Sequence, residues 1–392
     1  MTVLPLAGIT VLELSHTVMG PACGLMLADM GADVIRIEPT PDGDPTRTLK
    51  GFATGFFAYF NRNKRSICLD LKSKEGLRVA HELVEKADVL LENFGPGGMD
   101  RLGLGWETCR KLNPHLIYCS LKGFLPGPYG DRPATDEIIQ HMVGLPYMTG
   151  PPGQPLRAGT SVIDITGGVM GAVGILAALR QRDRDGHGRL IDSALFESGA
   201  FLMGQHLAQE AASGVPVPPM TQRGSAWGIY EMFPTRDGHS IFLGLLRDKH
   251  WVAFANEFGL GEHLKDPRFA DNAGRVKNRV PLKEIVMGVT TTHDLAALVD
   301  RFLKVNLPFS PVNKPSNLFD DPHLNQPGRL LNIRMPGGKP SKLPPLPFTM
   351  DGEVFPLRLE APAAGEHTES IMEALGYKQA DVEQLRSKGL VR

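Results

Sequence analysis

The sequence has little of several features that mark particular classes of protein. Its 392 residues include four cysteines and 7% aromatic residues, and 42 basic against 43 acidic side chains leave a formal net charge of −1. This balance excludes a global electrostatic attraction to nucleic acid or to anionic membranes. The cysteines are widely spaced, without a Cys-x-x-Cys pair, so neither a disulfide framework nor a metal site is predicted, and buried reduced thiols are expected.

Targeting signals and long apolar runs are also scarce. The first fifteen residues lack a basic start followed by an apolar core and a cleavage site, and we find no apolar stretch of 18 residues. We therefore expect a cytoplasmic protein with no membrane-spanning segment and no nucleic-acid partner. With 42% hydrophobic residues, the chain can bury a sizeable core and predicts two domains.

Residues 9–38 have the pattern of a strand, a helix and a second strand. Two short β-branched runs, at 9–14 and 33–38, enclose a helical pattern that starts at Pro21 and ends before Gly31. The first turn reads Ser-His-Thr-Val-Met-Gly-Pro, which is not the Gly-x-Gly-x-x-Gly of a dinucleotide site. Strands and helices continue to alternate through Leu121, which predicts an α/β fold with a mostly parallel sheet and helices on both faces.

Two loops at strand ends are candidate ligand contacts. The run Asn61-Arg-Asn-Lys-Arg-Ser66 is either a solvated loop or a compact phosphate-binding turn. The loop 93–98, Asn-Phe-Gly-Pro-Gly-Gly, follows a predicted strand at the carboxyl edge of the sheet, where ligands of open α/β sheets bind.

The stretch 156–182 places one carboxylate, Asp164, next to a long apolar helix pattern that starts at Val169 and should be buried. Asp164 or Thr166 can be a helix N-cap with no further role. Alternatively, Asp164 can act as a nucleophile towards an activated acyl group, with Gly167 and Gly168 allowing close approach of a ligand and offering N–H groups to an oxyanion.

Several motifs of the chain resemble, in order and spacing, those of the family III CoA-transferases. The matching segments are GADVIRIE at 31–38, NRNKRSICLDLK at 61–72, LLENFGPGGMDRLGLGW at 90–106, LNPHLIYCSLKGF at 112–124, GHGRLIDSALFE at 186–197, PFSPVN at 308–313 and GEHT at 365–368. The resemblance covers the chain from Leu6 to about Leu390.

The resemblance implies a Rossmann-like large domain built from both chain ends, with a smaller α+β central domain, in an interlocked homodimer. Accordingly, we assign residues 1–213 to the first part of the large domain and 220–320 to the small domain. An extended connector is predicted over 321–348, and residues 349–392 are expected to complete the large domain.

The resemblance also implies a mechanism and a site. Asp164 takes the place of the family's nucleophilic aspartate, which forms a mixed anhydride and then an aspartyl-CoA thioester. Coenzyme A is thus a substrate, as acyl-CoA, and no permanently bound cofactor is needed. The implied CoA-contacting positions are His16, Val18, Met19, Asn61, Arg62, Asn63, Lys64, Arg65, Asn93, Phe94, Gly95, Arg101, Thr135 and Asp136.

Two rival functions remain open. An α-methylacyl-CoA racemase-type isomerase needs a histidine before Asp136, where this chain has Thr135, whose hydroxyl is too weakly basic. A non-catalytic CoA-binding protein would keep the fold without the chemistry. Arg223 and Arg247 are candidate partners for the distal carboxylate of a dicarboxylic acid.

Overall fold

The computed structural model describes residues 3–222 and 224–392, which form two compact units. The first unit comprises the described residues up to Thr221 together with Asn325–Arg392, and the second comprises Gln222–Leu324. Both chain ends therefore belong to the first unit, and each unit has its own apolar core.

A six-stranded parallel sheet is the centre of the first unit. Its strands are β1 (Thr10–Leu14), β2 (Asp33–Glu38), β3 (Lys64–Cys68), β4 (Val89–Glu92), β5 (Ile117–Lys122) and β6 (Arg189–Ala194). The spatial order is β3-β2-β1-β4-β5-β6, and every neighbouring pair is parallel. The predicted α/β fold with a parallel sheet is confirmed, including the strand–helix–strand unit at its start.

Helices cover both faces of this sheet. They are α1 (Met19–Asp29), α2 (Phe56–Phe60), α3 (Lys74–Lys86), α4 (Gly98–Arg101), α5 (Trp106–Leu112), α6 (Asp136–Met142), α7 (Leu145–Thr149), α8 (Val162–Asp185) and α9 (Leu195–Ser213). Successive strand residues enter opposite cores, as Val11 and Leu12 do, because side chains alternate along a strand. Helices α1 and α8 pack on one face, and α3 packs on the other.

Helix α8 differs from expectation in two ways. It begins at Val162, so Asp164 is its third residue; neither Asp164 nor Thr166 is its N-cap, which is Ser161. An 18-residue window of α8 has a mean hydropathy of 2.0, so the helix is long and apolar enough to cross a membrane. The expectation that the chain has no apolar stretch of 18 residues is therefore wrong. However, α8 packs along α1 and against β5 and β6, the setting of a core helix.

The second unit combines an antiparallel sheet with helices. Strands β7 (Tyr230–Pro234), β8 (Ser240–Gly244) and β9 (Phe309–Pro311) pair in that order, and a turn at Asp237-Gly238 joins the first two. The helices are α10 (Asp248–Glu257), α11 (Gly261–Leu264), α12 (Asn272–Lys277), α13 (Arg279–Thr290) and α14 (Leu295–Lys304).

The last part of the chain returns to the first unit and covers its β3 edge. Residues 321–348, expected to be extended, contain a hairpin of β10 (Leu331–Arg334) and β11 (Pro340–Leu343). Helices α15 (Thr368–Ala374) and α16 (Gln379–Ser387) follow. The Asn63 N–H donates to the Leu359 carbonyl at 2.8 Å, and Leu69 forms a bridge with Val391.

Candidate functional site

A cavity of about 420 Å³ lies at the carboxyl edge of the parallel sheet in the first unit. It is lined by the segments that follow β1, β4 and β5, by the start of α6 and α8, and by residues from 49–56. The sequence-predicted residues found in its wall are His16, Val18, Met19, Asn93, Phe94, Gly95, Thr135, Asp136 and Asp164. Residues separated by nearly 150 positions are therefore brought to one cavity, at the edge where open α/β sheets bind ligands.

Asp164 presents its carboxylate to this cavity from the first turn of α8. Among residues 3–222 and 224–392, the carboxylate has no ion pair and no hydrogen bond. Burial raises the pKa of Asp164 to about 7, and the negative charges of Asp136 and Glu137 add to this increase. Near neutral pH, a substantial fraction of Asp164 is therefore ionised in a partly dry site, as a carboxylate nucleophile requires.

Asp136 holds the N-terminus of α8 in place. Its Oδ2 atom accepts hydrogen bonds from the Ile163 N–H at 2.8 Å and the Asp164 N–H at 3.0 Å, and Gln140 donates to its Oδ1 atom. The carboxylate thus caps the helix from outside α8, where the chain's own Ser161 makes no side-chain cap. Asp136 fixes the backbone of the residue that carries the candidate nucleophile.

The turn after β1 is fixed by hydrogen bonds from two other loops. The His16 N–H donates to Asn93 Oδ1, and Asn93 Nδ2 donates to the His16 carbonyl, both at 2.9 Å. Thr17 has a positive φ of 66°, which is uncommon for a residue other than glycine, and its N–H donates to Thr46 Oγ1 at 3.2 Å. Burial lowers the pKa of His16, and the Asp44 charge opposes this effect. The turn is therefore held in one conformation beside the cavity.

The structure gives no support to the predicted oxyanion role of Gly167 and Gly168. Both glycines lie beyond the first turn of α8, where the N–H groups bond within the helix, and neither lines the cavity. A Cβ on Gly167 would lie 2.6 Å from the Met19 side chain, and one on Gly168 would lie 2.7 Å from the Met19 carbonyl oxygen. Their function in this structure is to let α1 and α8 approach closely.

The structure gives no support to the predicted phosphate contact of Arg62 and Lys64, because both side chains are buried and paired. The Arg62 side chain is 1% exposed and pairs with Asp29 at 2.7 Å, whereas Lys64 is fully buried and pairs with Glu13 at 2.8 Å. Each charge is neutralised in the interior by its carboxylate partner. A basic run that looks like a surface turn is therefore part of the core.

The other residues of this basic run are also occupied by protein contacts. Asn61 accepts hydrogen bonds from Arg36 and Lys64, and Asn63 accepts from the N–H groups of residues 358 and 359. Arg65 is partly exposed and pairs with Asp33 at 3.0 Å. None of these residues lines the cavity.

Arg101 is different because it stays exposed. It ends α4, and its guanidinium donates to the Pro96 carbonyl at 3.3 Å, next to the cavity-lining loop after β4. Of the two arginines proposed for a distal carboxylate, Arg223 lies outside the described residues, and Arg247 is exposed in the second unit at the N-cap of α10.

Sequence reasoning missed an apolar wall and two cations of the cavity. Leu49, Phe52 and Phe56 contribute apolar surface, and Phe52 is 81% exposed. The run Gly-Phe-Ala-Thr-Gly-Phe-Phe at 51–57 was the available signal, because exposed aromatic clusters near glycines suit ligand contact. The cations are Lys122 and Arg132.

Comparisons with known proteins identify the family of the chain. The model of CoA-transferase family III matches residues 6–368. The succinate–glutarate CoA-transferase of Agrobacterium fabrum is 35% identical over 95% of this chain and 96% of that protein. The β subunit of the succinyl-CoA–L-malate CoA-transferase of Chloroflexus aurantiacus is 32% identical over 100% of this chain and 99% of that protein.

A solved structure extends the agreement to three dimensions. The crystal structure of a CaiB/BaiF family protein from Brucella suis is 33% identical and superposes with a TM-score of 0.85 over 95% of this chain and 99% of that one. Matches of this extent leave no large part of the chain outside the shared fold. The chain therefore belongs to CoA-transferase family III and is an enzyme of that family.

Proposed function

We propose that this enzyme transfers CoA from an acyl-CoA donor to a free dicarboxylic acid, with Asp164 as the covalent nucleophile. The observation that carries the proposal is a carboxylate without a partner among the described residues, in a cavity at the carboxyl edge of the sheet. Support for dicarboxylic acids comes from the names of two relatives, which act between succinate and glutarate and between succinyl-CoA and L-malate.

The reaction proceeds through two exchanges at the Asp164 carboxyl group. The carboxylate attacks the donor thioester carbonyl, the C–S bond breaks, and a mixed anhydride and CoA thiolate form. The thiolate then attacks the aspartyl carbonyl of the anhydride, the donor acid leaves as a carboxylate, and an aspartyl-CoA thioester remains. The acceptor carboxylate repeats both steps in reverse. No net proton is consumed, and the thioester bond is conserved.

Binding of the carrier is assigned to the segments around the cavity. The turn 16–19, the loop 93–95 and Thr135 are proposed to contact the pantetheine arm near Asp164. Arg101 is proposed as a phosphate contact because its guanidinium is accessible beside the loop after β4. The apolar side chains of Leu49 and Phe52 suit the methylene groups of an acyl chain.

An interlocked homodimer in the cytoplasm is proposed as the working form. Exposed apolar side chains on α8 and α9, including Val173 and Phe201, support a second copy as their cover. Light scattering coupled to size-exclusion chromatography gives the test, since a monomer at micromolar concentration would contradict this assignment.

Chemical trapping tests the covalent step directly. After addition of succinyl-CoA, hydroxylamine should convert Asp164 to its hydroxamate, which mass spectrometry of the 158–180 peptide detects. Asp164→Ala should give no adduct and no turnover while CoA binding, followed by titration calorimetry, stays near normal. A modified peptide elsewhere in the chain would rule out this nucleophile.

One assay separates the rival activities. The enzyme is incubated with succinyl-CoA and glutarate, and, in parallel, with an α-deuterated 2-methylacyl-CoA. CoA exchange without deuterium loss supports the transferase, and deuterium loss without exchange supports the racemase-type isomerase. The structure favours the first outcome, because Thr135 Oγ1 caps α6 at the position where the isomerase needs its histidine.

A further inference from the structure

The cavity contains a cation without a neutralising partner. Besides His16, whose pKa is lowered by burial, the cationic side chains in its wall are Lys122 and Arg132. Lys122 lies 2.6 Å from Glu92 and donates to the Phe94 carbonyl at 2.7 Å. In contrast, the Arg132 guanidinium makes no ion pair and no side-chain hydrogen bond with any residue in 3–222 or 224–392. Its charge is available to a ligand.

Arg132 is nevertheless held in position by aromatic rings. Its guanidinium carbon lies 4.9 Å from the centre of the Tyr129 ring and 6.0 Å from that of Phe124. Phe124 is buried, and both rings also pack on Phe196. Stacking of this kind orients an arginine without satisfying its N–H donors, which remain free for a planar carboxylate.

The chain itself keeps this charge near the reacting group. Arg132 is four residues before Asp136, so their Cα atoms are at most about 14 Å apart, and Asp136 bonds to the backbone N–H of Asp164. The pantetheine arm separates the thioester of an acyl-CoA from its phosphates. A cation in the wall of the cavity that holds Asp164 is therefore placed to meet the acyl end of the carrier and the free acid.

The surroundings also create a need for a positive charge. Asp136 and Glu137 line the same cavity as Asp164, and the nearby Arg157 is committed to Glu137 at 3.2 Å. A dicarboxylic acid that brings one carboxylate to Asp164 must place its second carboxylate in the same acidic, partly dry space. Without a counter-charge this step is costly.

We propose that Arg132 is a specificity-determining residue that binds the distal carboxylate of a dicarboxylic acid while the proximal carboxylate reacts at Asp164. This inference rests on the proposed transferase function and assigns the role to a residue of the cavity rather than to Arg223 or Arg247. Charge-assisted, bidentate hydrogen bonds from a guanidinium suit a carboxylate, so the enzyme distinguishes a dicarboxylic acid from the matching monocarboxylic acid.

The test compares two acceptors that differ only at the distal end, glutarate and valerate. Wild type, Arg132→Gln, Arg132→Lys and the control Arg110→Gln, at an exposed arginine of α5 that pairs with Glu107, are assayed with succinyl-CoA at a concentration saturating for each variant. We expect Arg132→Gln to lower kcat/KM for glutarate at least tenfold, mainly through KM, and for valerate less than twofold. Arg132→Lys should recover part of the loss, and the control should match wild type.

The affinity for free CoA, measured by titration calorimetry, separates the alternatives. An unchanged Kd in Arg132→Gln supports the acid-binding role, whereas a Kd raised tenfold would mean a contact with the carrier and overturn the inference. Equal losses for both acids, or a wild-type preference for valerate, would overturn it as well. A wild type that transfers CoA to no acid would refute the proposed function itself, which is a distinguishable result.

Discussion

Two groups of buried carboxylates in the first unit have opposite surroundings. Under the sheet edge, Glu13 and Asp44 each lie within 2.6 Å of the Arg36 guanidinium, and Glu13 also pairs with Lys64. In the cavity, Asp164 has acidic neighbours, and no cation pairs with it among the described residues. The first group is arranged to hold the fold together, and the second leaves a charge free for chemistry.

A further buried carboxylate, Glu38, pairs with Arg47 and shows how the surroundings set the direction of a pKa shift. Burial alone would raise the pKa of Glu38, but hydrogen bonds from Arg47 and the charge of Arg36 outweigh it and lower the pKa. At Asp164 burial raises the pKa, and the neighbouring acids act in the same direction. Desolvation acts in the same direction on both carboxylates, and the charge of the neighbouring groups decides the direction of the net pKa shift.

The largest expected effect is the loss of turnover in Asp164→Ala. Because the nucleophile forms the covalent intermediate, kcat should fall at least about 10⁴-fold, as for other covalent nucleophiles. Steady-state kinetics with succinyl-CoA and glutarate measure this, with Asp192→Ala as a control outside the cavity. A loss of less than tenfold would assign the chemistry to another group.

Removal of the cation shared by Glu13 and Asp44 should lower the stability of the fold. Arg36→Met leaves Glu13 and Asp44 buried without their common cation, and we expect unfolding to become easier by about 3 to 5 kcal/mol in urea titrations. The exposed pair of Arg110 and Glu107 provides a matched control, because Arg110→Met should change stability little. Equal effects of the two variants would remove the distinction between the buried network and a surface pair.

Removal of the Asp164 charge should stabilise the folded protein, whereas Arg36→Met should destabilise it. In the folded chain Asp164 keeps its proton up to about pH 7, whereas the unfolded carboxyl group loses it near its ordinary value of 3.8. The wild type therefore loses about 3 kcal/mol of unfolding free energy relative to Asp164→Asn as the pH rises from 4 to 7. Urea titrations of both proteins at a series of pH values give this difference, and a pH-independent difference would contradict the raised pKa.

The pH profile of the reaction should follow the same group. Since the nucleophile must be ionised, kcat/KM for succinyl-CoA should fall about tenfold per pH unit below pH 7. Glu137→Gln removes one of the charges that raise the pKa of Asp164, so its acidic limb should move to lower pH by less than one unit. Glu107→Gln, on the exposed face of α5, should leave the limb unchanged.

The smallest expected effect concerns the turn after β1. Thr46→Val removes the acceptor of the Thr17 N–H at nearly constant side-chain volume. Loss of this hydrogen bond destabilises the turn by about 1 to 2 kcal/mol. We expect KM for acyl-CoA to rise several-fold with kcat nearly unchanged. Thr48→Val is the control, since its hydroxyl bonds only to the Pro45 carbonyl, and a similar KM change there would exclude a specific role of Thr46.

Patterns within one element were readable from the sequence. The strand at 9–14, the helix that ends before Gly31 and the strand at 33–38 each depend on neighbouring residues, and the structure has them as predicted. Asp164 was found because a carboxylate inside an apolar pattern is unusual. Local periodicity thus located the elements of the sheet.

Contacts between distant residues were not readable in the same way. The basic run at 61–65 has the composition of a solvated loop, and its burial depends on Glu13 and Asp29, some 50 and 30 positions earlier. A signal was present, since both acids lie inside apolar elements and a buried acid needs a partner. Likewise, packing between distant residues lets Asp136 cap α8 and leaves the charge of Arg132 free. No local sequence pattern indicates this packing.

The closing of the β3 edge by the end of the chain has a consequence for biosynthesis. Asn63 bonds to a partner 296 residues further on, so this strand emerges from the ribosome long before its cover exists. During that interval the open edge is free to pair with other nascent chains. A translation stop just before residue 358 is therefore expected to yield insoluble protein rather than a shortened enzyme.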